Sequence, residues 1–377
     1  MTMRSTVGRR AGIVVAAVLA FSLFAGPAPS PSQPVGAPGD VVASSSVPQQ
    51  MWPPGAATGS FLTYWTTGPL NRPALSTGAT FLPPGGPPPG GWPVVSWAHG
   101  TVGLADVCAP TATGNFGGQY VEHWLREGYA VVATDYVGLG TPGVHPYLDG
   151  PTEAHSMIDM VRAARSVTPS LSNRWLALGQ SQGGHAALVA ASMATRYAPE
   201  LDFRGTVATG APSNLEQLAP LVGPNFPPLP LTGSTVFVAY ALAGLRASRP
   251  DLDVDSYLSP LGVSALDRLE ELCYQDAAPQ LQGVTIGQLM SRNLDDPAIL
   301  DAIRGTLGVP VRGYDRPLFI GQGLLDDIVP AAFSWKLTAD LAANGQSFVY
   351  RTYPTGHLQT MPASLPDTTP FVRQAFS

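Results

Sequence analysis

The sequence predicts an α/β fold with a mostly parallel β-sheet and helices on both faces. Short apolar runs alternate with patterns of helical spacing, as expected when each strand is followed by a crossover helix. The chain has 377 residues, 45% of them apolar, which is enough to bury a large core. The predicted strands cover residues 92–100, 129–135, 174–180, 203–210, 317–323 and 347–353, and the predicted helices cover 117–128, 153–167, 183–198 and about 330–344.

Residues 1–28 have the pattern of a secretory signal. Three arginines precede the apolar run AGIVVAAVLAFSLFAG (11–26), and small residues suited to cleavage follow near Ala28. An uncleaved membrane anchor is the alternative. The run has only about 16 residues, fewer than the roughly 20 that span a bilayer, which favours a cleaved signal. We therefore expect a secreted protein, extracellular or in the cell envelope, whose mature chain has no transmembrane segment.

The rest of the chain divides by composition. Residues 29–58 are rich in Pro, Ser, Gly and Ala and predict a flexible leader. Residues 59–216 and 311–377 supply the two parts of the predicted sheet domain. Between them, residues 217–310 contain several helical patterns and no convincing strand. They predict a helical cap, or lid, inserted into that domain.

The charge and the cysteine content limit the possible partners and the compartment. The formal net charge is −6, so the sequence offers no basic surface for nucleic acid. The only cysteines are Cys108 and Cys273. In an exported chain such a pair predicts one disulfide, and two buried thiols are the alternative. The bridge would close a long loop and stabilise the fold by about 3–5 kcal/mol in the chain-entropy model.

A serine flanked by glycines is the most informative stretch. In GQSQG, Gly179 and Gly183 lie two residues to either side of Ser181, after a predicted strand and before a predicted helix. This is the context of a nucleophile elbow, a sharp turn in which only glycine fits beside the serine. The turn would expose the hydroxyl at the carboxyl edge of the sheet. A glycine-rich turn with an idle serine is the alternative.

The serine needs a base and an orienting acid. His357 follows the last predicted strand, where the base is expected when the chain order is nucleophile, acid, histidine. His145, in a loop before a proline, is a candidate for lining the pocket. Asp326 and Asp327 both follow a predicted strand and precede a predicted helix, so from the residues alone either could be the acid.

Two backbone N–H groups are expected to form an oxyanion hole for the tetrahedral intermediate. The residue after the nucleophile, Gln182, supplies one of them. The other is expected from the loop at 96–103 that follows an early strand. Within that loop Thr101 is the preferred candidate and Val102 is the alternative.

Two further motifs do not predict a cofactor or a metal. GLGTPG (138–143) fits a dinucleotide-binding pattern, but the prolines in and after it indicate an extended loop rather than the start of a helix. DLDVDS (251–256) resembles the start of a calcium loop, yet Ser256 and Gly262 stand where glycine and glutamate are needed. We therefore expect neither a cofactor nor a bound metal.

Five stretches make the chain resemble the secretory lipases of the lipase A type found in fungi and actinobacteria. They lie between about residues 90 and 360 and are SWAHGTVGLADVCAP, DYVGLGTPGVHPYL, GQSQGG, GLLDDIVP and TGH. The resemblance implies an α/β-hydrolase fold with a late helical cap and a triad of Ser181, Asp326 and His357. It selects Asp326 because the family's acid stands in Gly-x-x-Asp-x-x-Val-Pro. It also implies a bridge between Cys108 and Cys273.

The predicted function is a secreted lipase or esterase that cleaves carboxylic esters, acylglycerols or other hydrophobic esters, through an acyl-enzyme on Ser181. Its partner would be a hydrophobic ester, met at a lipid–water interface, with the acyl chain under the cap. The run at 234–245 is a candidate wall of that channel, or simply buried core. An acyltransferase with the same triad, a peptidase and a non-catalytic binding protein are the alternatives. Nothing in the sequence indicates an oligomeric state.

Overall fold

A nine-stranded β-sheet forms the centre of the structure, a computed structural model that describes residues 35–377. The predicted signal (1–28) and the start of the predicted leader (29–34) lie outside the described residues. In chain order the strands are β1 (Val41–Ser46), β2 (Thr58–Thr67), β3 (Pro73–Leu82), β4 (Trp92–Ala98), β5 (Ala130–Val137), β6 (Leu171–Gln180), β7 (Asp202–Thr209), β8 (Leu318–Gly323) and β9 (Val349–Tyr353).

The spatial order of the strands is β1-β2-β3-β5-β4-β6-β7-β8-β9. From β5 to β9 in that order the strands are parallel. At the other end, β1, β2 and β3 are antiparallel to their neighbours. The predicted α/β fold with a mostly parallel sheet is therefore confirmed. Every strand predicted from the sequence is present close to its expected bounds. The central ones, such as β5 and β8, are apolar runs buried on both faces, whereas most of the edge strand β9 is half-buried or exposed.

Helices cover both faces of the sheet, and side chains alternate between the two faces along each strand. In β4, Val94 packs against α3 and α4, while Val95 packs against α2 and α12 on the other side. The helices are α1 (Pro110–Thr113), α2 (Gly118–Arg126), α3 (Gly150–Val167), α4 (Gln182–Tyr197), α5 (Ser234–Ser248), α6 (Pro260–Leu269), α7 (Tyr274–Gln280), α8 (Ile286–Leu289), α9 (Pro297–Leu307), α10 (Ala331–Ala343), α11 (His357–Ala363) and α12 (Leu365–Phe376). Among residues 35–377, none of these helices combines the length and hydropathy of a membrane span.

The segment between β7 and β8 forms a helical cap that contains α5 to α9. These helices pack around a second apolar core, which includes Tyr240 and Leu266 of the cap and also Leu104 and Tyr147 from outside it. The predicted disulfide between Cys108 and Cys273 is present and joins the cap to the loop that follows β4, across 165 residues of sequence. Beside it, the N–H of Tyr274 donates to the carbonyl of Val102 at 2.8 Å. The cap is therefore fixed to that loop covalently and by backbone hydrogen bonding.

The prediction of a flexible leader at 29–58 is wrong over its second part. β1 pairs with β2, and Val47 beside it is 3% exposed. The indole N–H of Trp52 donates to the carbonyl of Val47 at 2.8 Å. β1 has the sequence VVASSS, in which apolar and polar residues do not alternate. It is an edge strand held by backbone hydrogen bonds to its single neighbour β2, so no such alternation is needed. β2 and β3 were likewise not predicted from the sequence.

Candidate active site

Ser181 lies in the sharp turn between β6 and α4. Its backbone has φ 57° and ψ −124°, a conformation that residues with a side chain rarely adopt. The N–H of Ser181 donates to the carbonyl of Thr209 at the end of β7, at 2.9 Å. The serine therefore stands in the strand–turn–helix setting expected of a nucleophile elbow.

The two flanking glycines are required by close approach of the backbone. A β-carbon on Gly179 would overlap the carbonyl of Gly183, and a β-carbon on Gly183 would overlap the carbonyl of Ala98 in β4. The first turn of α4 therefore packs directly on the ends of β6 and β4. This contact places Ser181 at the carboxyl edge of the sheet, beside the loop that follows β4.

β8 and β9 bring an aspartate and a histidine to the same edge of the sheet. Nδ1 of His357, at the start of α11, lies 2.7 Å from Oδ2 of Asp326. The second carboxylate oxygen, Oδ1, accepts the N–H groups of Ile328 at 3.0 Å and of Val329 at 2.7 Å. Asp326 and His357 are both buried, with exposed fractions of 7% and 5%. The carboxylate is therefore held on one side by the backbone and on the other by the imidazole.

Asp327, the other carboxylate considered from the sequence, points elsewhere. Its side chain is exposed and accepts the hydroxyl of Thr232 at 2.6 Å. Its backbone carbonyl also accepts the N–H of Thr232, at 3.0 Å. Asp327 therefore contacts the segment that leads into α5, and Asp326 is the aspartate that contacts the histidine.

His357 lies against the same strand end as Ser181. A β-carbon added to Gly210 would stand 3.1 Å from Cε1 of His357. Thr209, the residue before it, accepts the N–H of Ser181. Nδ1 of His357 is hydrogen-bonded to Asp326, and Nε2 is buried without a hydrogen-bond partner among residues 35–377. The three predicted triad residues thus share the edge formed by β6, β7 and β8.

The loop after β4 also faces the serine. A β-carbon on Gly100 would lie 3.5 Å from Cβ of Ser181, so the next residue, Thr101, is close to the elbow. The hydroxyl of Thr101 forms a hydrogen bond of 2.7 Å with the hydroxyl of Tyr147. On the other side, Gln182 begins α4, and N–H groups in the first turn of a helix have no partner within it. Both predicted oxyanion donors therefore belong to segments that adjoin Ser181.

An apolar cavity of about 180 Å³ adjoins the serine. Its lining is apolar apart from Ser181, Tyr147 and Ser234. One face of α5 forms a wall, with lining residues three or four positions apart: Ser234, Phe237, Val238, Ala241, Leu242 and Leu245. The sequence predicts either a channel wall or buried core for the run at 234–245, and its residues do both: one face lines the cavity, and Ala239 and Tyr240 lie in the core. Within residues 35–377 no cluster of three or more His, Cys, Asp or Glu is arranged to hold a metal ion.

A polar cluster behind the elbow was not predicted from the sequence. Glu153 in α3 has no exposed surface, and its carboxylate accepts the side-chain amide of Gln182 at 2.8 Å. His145, considered from the sequence as a pocket-lining residue, is instead fully buried and lies 2.7 Å from the same amide. Nothing in the sequence distinguishes Glu153, because one acidic residue in a helical pattern is typical of a solvated helix face.

Comparison with known proteins gives a family and two relatives. A model of the secretory lipase family matches residues 109–377. Lipase A from Moesziomyces aphidis is 25% identical over 369 residues, which span 90% of this chain and 77% of that protein. A probable inactive lipase from Mycobacterium tuberculosis is 26% identical over 265 residues, 67% of this chain and 56% of its own length.

Solved structures give the same fold. The structure of Candida antarctica lipase A in its closed state superposes with a TM-score of 0.73 at 22% identity, over 90% of this chain and 82% of that one. The family model matches well over half of the chain and includes both the elbow and the segments that carry Asp326 and His357. The chain therefore belongs to the secretory lipase family of carboxylic ester hydrolases.

Proposed function

We propose that the protein is a secreted hydrolase of hydrophobic carboxylic esters that acts through Ser181, His357 and Asp326. Ser181 attacks the ester carbonyl carbon while His357 takes the serine proton and then gives it to the leaving alcohol. Asp326 orients the imidazole and stabilises its protonated form. Water, activated by His357, then attacks the acyl-enzyme and releases the acid and the free serine.

The observation that carries this proposal is the 2.7 Å hydrogen bond between His357 and Asp326 beside the strained turn of Ser181. A carboxylate cannot donate, so the hydrogen lies on Nδ1, and Nε2 of the neutral ring presents the lone pair that a general base needs. A serine hydroxyl is a weak nucleophile without such a base. Backbone strain at a serine beside a buried acid–imidazole pair supports catalysis over a purely structural turn.

The oxyanion would be held by two backbone N–H groups. The N–H of Gln182 stands at the positive end of the α4 dipole, which favours a developing negative charge. The N–H of Thr101 is the second proposed donor, from the loop across the turn. Removing one such donor typically lowers kcat by about 10² to 10³. The rigid packing of Gly183 on β4 keeps the loop and the helix close together.

The cavity supports a hydrophobic acyl group as the substrate's main recognition element. Its α5 wall runs from Ser234 to Leu245, eleven positions (245 − 234), which is about 16 Å at the rise of an α-helix. Each methylene that leaves water for such a surface contributes roughly 0.8 kcal/mol. We therefore propose fatty esters, including acylglycerols, as the substrate class.

Exposed leucines next to the triad support contact with a lipid–water interface. Leu325 precedes Asp326 and is 69% exposed, and Leu358 follows His357 and is 64% exposed. Apolar side chains left in water beside a polar site favour an apolar partner. Export through the predicted signal at 1–28 would deliver the protein to such a substrate outside the cell.

Replacing Ser181 with alanine should abolish hydrolysis of p-nitrophenyl esters from short to long chain. The variant lacks the nucleophile, so kcat should fall by roughly 10⁴ to 10⁶. The measurement is the initial rate on each ester for both proteins, with a fluorophosphonate probe that should label the wild type only. Full activity in the alanine variant would contradict the mechanism.

The same assay separates the alternatives. An acyltransferase would pass the acyl group to an added alcohol in preference to water, and a peptidase would cleave a matched amide as fast as the ester. A non-catalytic binding protein would show neither turnover nor labelling. We expect release of free acid from the ester as the main reaction.

Replacing Asp326 with asparagine should lower kcat by about 10³ to 10⁴, because an amide that donates to Nδ1 holds the wrong tautomer of His357. Asp327→Asn is a matched control. It makes the same chemical change one residue away, on a side chain that is hydrogen-bonded to Thr232 rather than to His357. Its kcat should stay within about threefold of the wild type. Equal losses in the two variants would contradict the assignment of the acid.

Replacing Ala241 with phenylalanine should shorten the cavity from its α5 wall. The ratio of kcat/KM for a long-chain ester to that for a short-chain ester should fall by roughly tenfold. This corresponds to the loss of binding free energy from about two buried methylene groups. The short ester serves as the internal control, since its acyl group would stop before Ala241. An unchanged ratio would mean that the acyl chain does not use this cavity.

A further inference from the structure

A fully buried glutamate lies behind the elbow and takes no part in the proposed proton transfers. Oε1 of Glu153 accepts two hydrogen bonds, from the N–H of Leu148 at 3.0 Å and from the side-chain amide of Gln182 at 2.8 Å. The Glu153 side chain comes from the first turns of α3, whose start is fixed by the Asp149 side chain accepting the N–H of Thr152. Its position is therefore set by a capped helix end rather than by a flexible loop.

The second hydrogen of the Gln182 amide goes to a histidine whose tautomer can be deduced. Nδ1 of His145 lies 2.9 Å from the carbonyl of Val137, and a carbonyl only accepts, so Nδ1 carries the hydrogen. Burial lowers the pKa of His145 to about 3, so the ring is neutral and Nε2 is an acceptor. Gln182 therefore donates both amide hydrogens, one to His145 at 2.7 Å and one to Glu153.

Gln182 is the residue whose backbone N–H should bind the oxyanion, and its own side chain is 1% exposed. The two hydrogens on Nε2 of Gln182 are donated to two buried acceptors, His145 and Glu153, and this fixes the orientation of the side chain. We propose that Glu153 is a positioning residue, which orients the backbone N–H of Gln182 toward the acyl oxygen by holding the Gln182 side chain. This inference rests on the proposed function of Gln182 as an oxyanion donor.

The other carboxylate oxygen of Glu153 faces a second histidine. Nε2 of His185 donates to the carbonyl of Leu307 in the cap at 3.0 Å, so Nε2 carries a hydrogen. Nδ1 of His185 lies 3.8 Å from Oε2 of Glu153, and neither atom has a hydrogen-bond partner among residues 35–377. Burial raises the pKa of Glu153 above its ordinary value.

Two substitutions at position 153 separate the loss of the hydrogen bonds from the loss of the charge. Glu153→Gln keeps an oxygen that accepts from Leu148 and Gln182, and it places a side-chain N–H group opposite Nδ1 of His185. Glu153→Met keeps the length and bulk of the side chain but cannot accept the hydrogen bonds from Leu148 and Gln182. Methionine at 182 likewise removes the anchored amide and leaves the backbone N–H in place.

The experiment measures kcat and KM on one p-nitrophenyl ester, with urea unfolding of every protein. Glu153→Met and Gln182→Met should each lower kcat by roughly tenfold to a hundredfold, less than loss of an oxyanion donor, with KM within about threefold. The double variant should lose no more than the larger single loss, because both changes break one contact. Glu153→Gln should keep kcat within about threefold of the wild type.

Asp159→Asn is the matched control. Asp159 is a buried carboxylate on the same helix and accepts hydrogen bonds from Thr66 and Arg162 at 2.7 Å each and from Tyr197 at 2.9 Å. Among residues 35–377 it has no hydrogen bond to Glu153, Gln182 or His145. Its loss should lower the urea midpoint and leave kcat unchanged. An equal loss of kcat in Asp159→Asn and Glu153→Met would mean that general destabilisation, not positioning, lowers the rate.

Two further results would overturn the inference: wild-type kcat in folded Glu153→Met, or losses that multiply in the double variant. Should Glu153→Met not fold, wild-type kcat in folded Gln182→Met overturns it equally. Failure of the proposed function would look different, because the wild type itself would then show no hydrolysis that depends on Ser181.

Discussion

The whole site depends on a contact between backbones at the end of three elements. The first turn of α4 approaches β6 and β4 so closely that neither Gly179 nor Gly183 could carry a β-carbon. Ser181 has a positive φ in the turn between them and lies at the carboxyl edge of the sheet. Holding a residue in such a backbone conformation lowers the stability of the folded state by about 1–3 kcal/mol. The packing of α3 and α4 on the sheet has to offset this loss.

The same edge brings together residues that are far apart in the sequence. Parallel strands end on one side of a sheet, so the segments after β4, β6, β8 and β9 converge there. The cap then covers this edge and is joined by Cys108–Cys273 to the loop that carries Thr101. A chain-entropy contribution of about 3–5 kcal/mol from that bridge stabilises the loop and the cap together. The disulfide thus links the segment that lines the apolar cavity to the loop proposed to supply an oxyanion donor.

The parallel core and the elbow were predictable because local sequence specifies them. Each buried strand is an apolar run. The glycines on either side of Ser181 are predictable because the turn leaves no room for a β-carbon at those two positions. The edge strand β1 escaped prediction because its serines gain stability from pairing, not from burial. The residues alone left Asp326 and Asp327 open as the acid, and only the family pattern selected Asp326, because the difference lies in which one reaches His357. Glu153 was missed because its burial depends on Gln182 and Leu148, contacts that only the folded chain creates.

The most direct test is a crystal structure of the protein after reaction with a long-chain alkyl phosphonate ester. Phosphorus should be bonded to Oγ of Ser181, with the phosphonyl oxygen within hydrogen-bonding distance of the N–H groups of Gln182 and Thr101. The alkyl chain should lie along α5. A phosphonyl oxygen turned away from both N–H groups, or an adduct on another residue, would contradict the account.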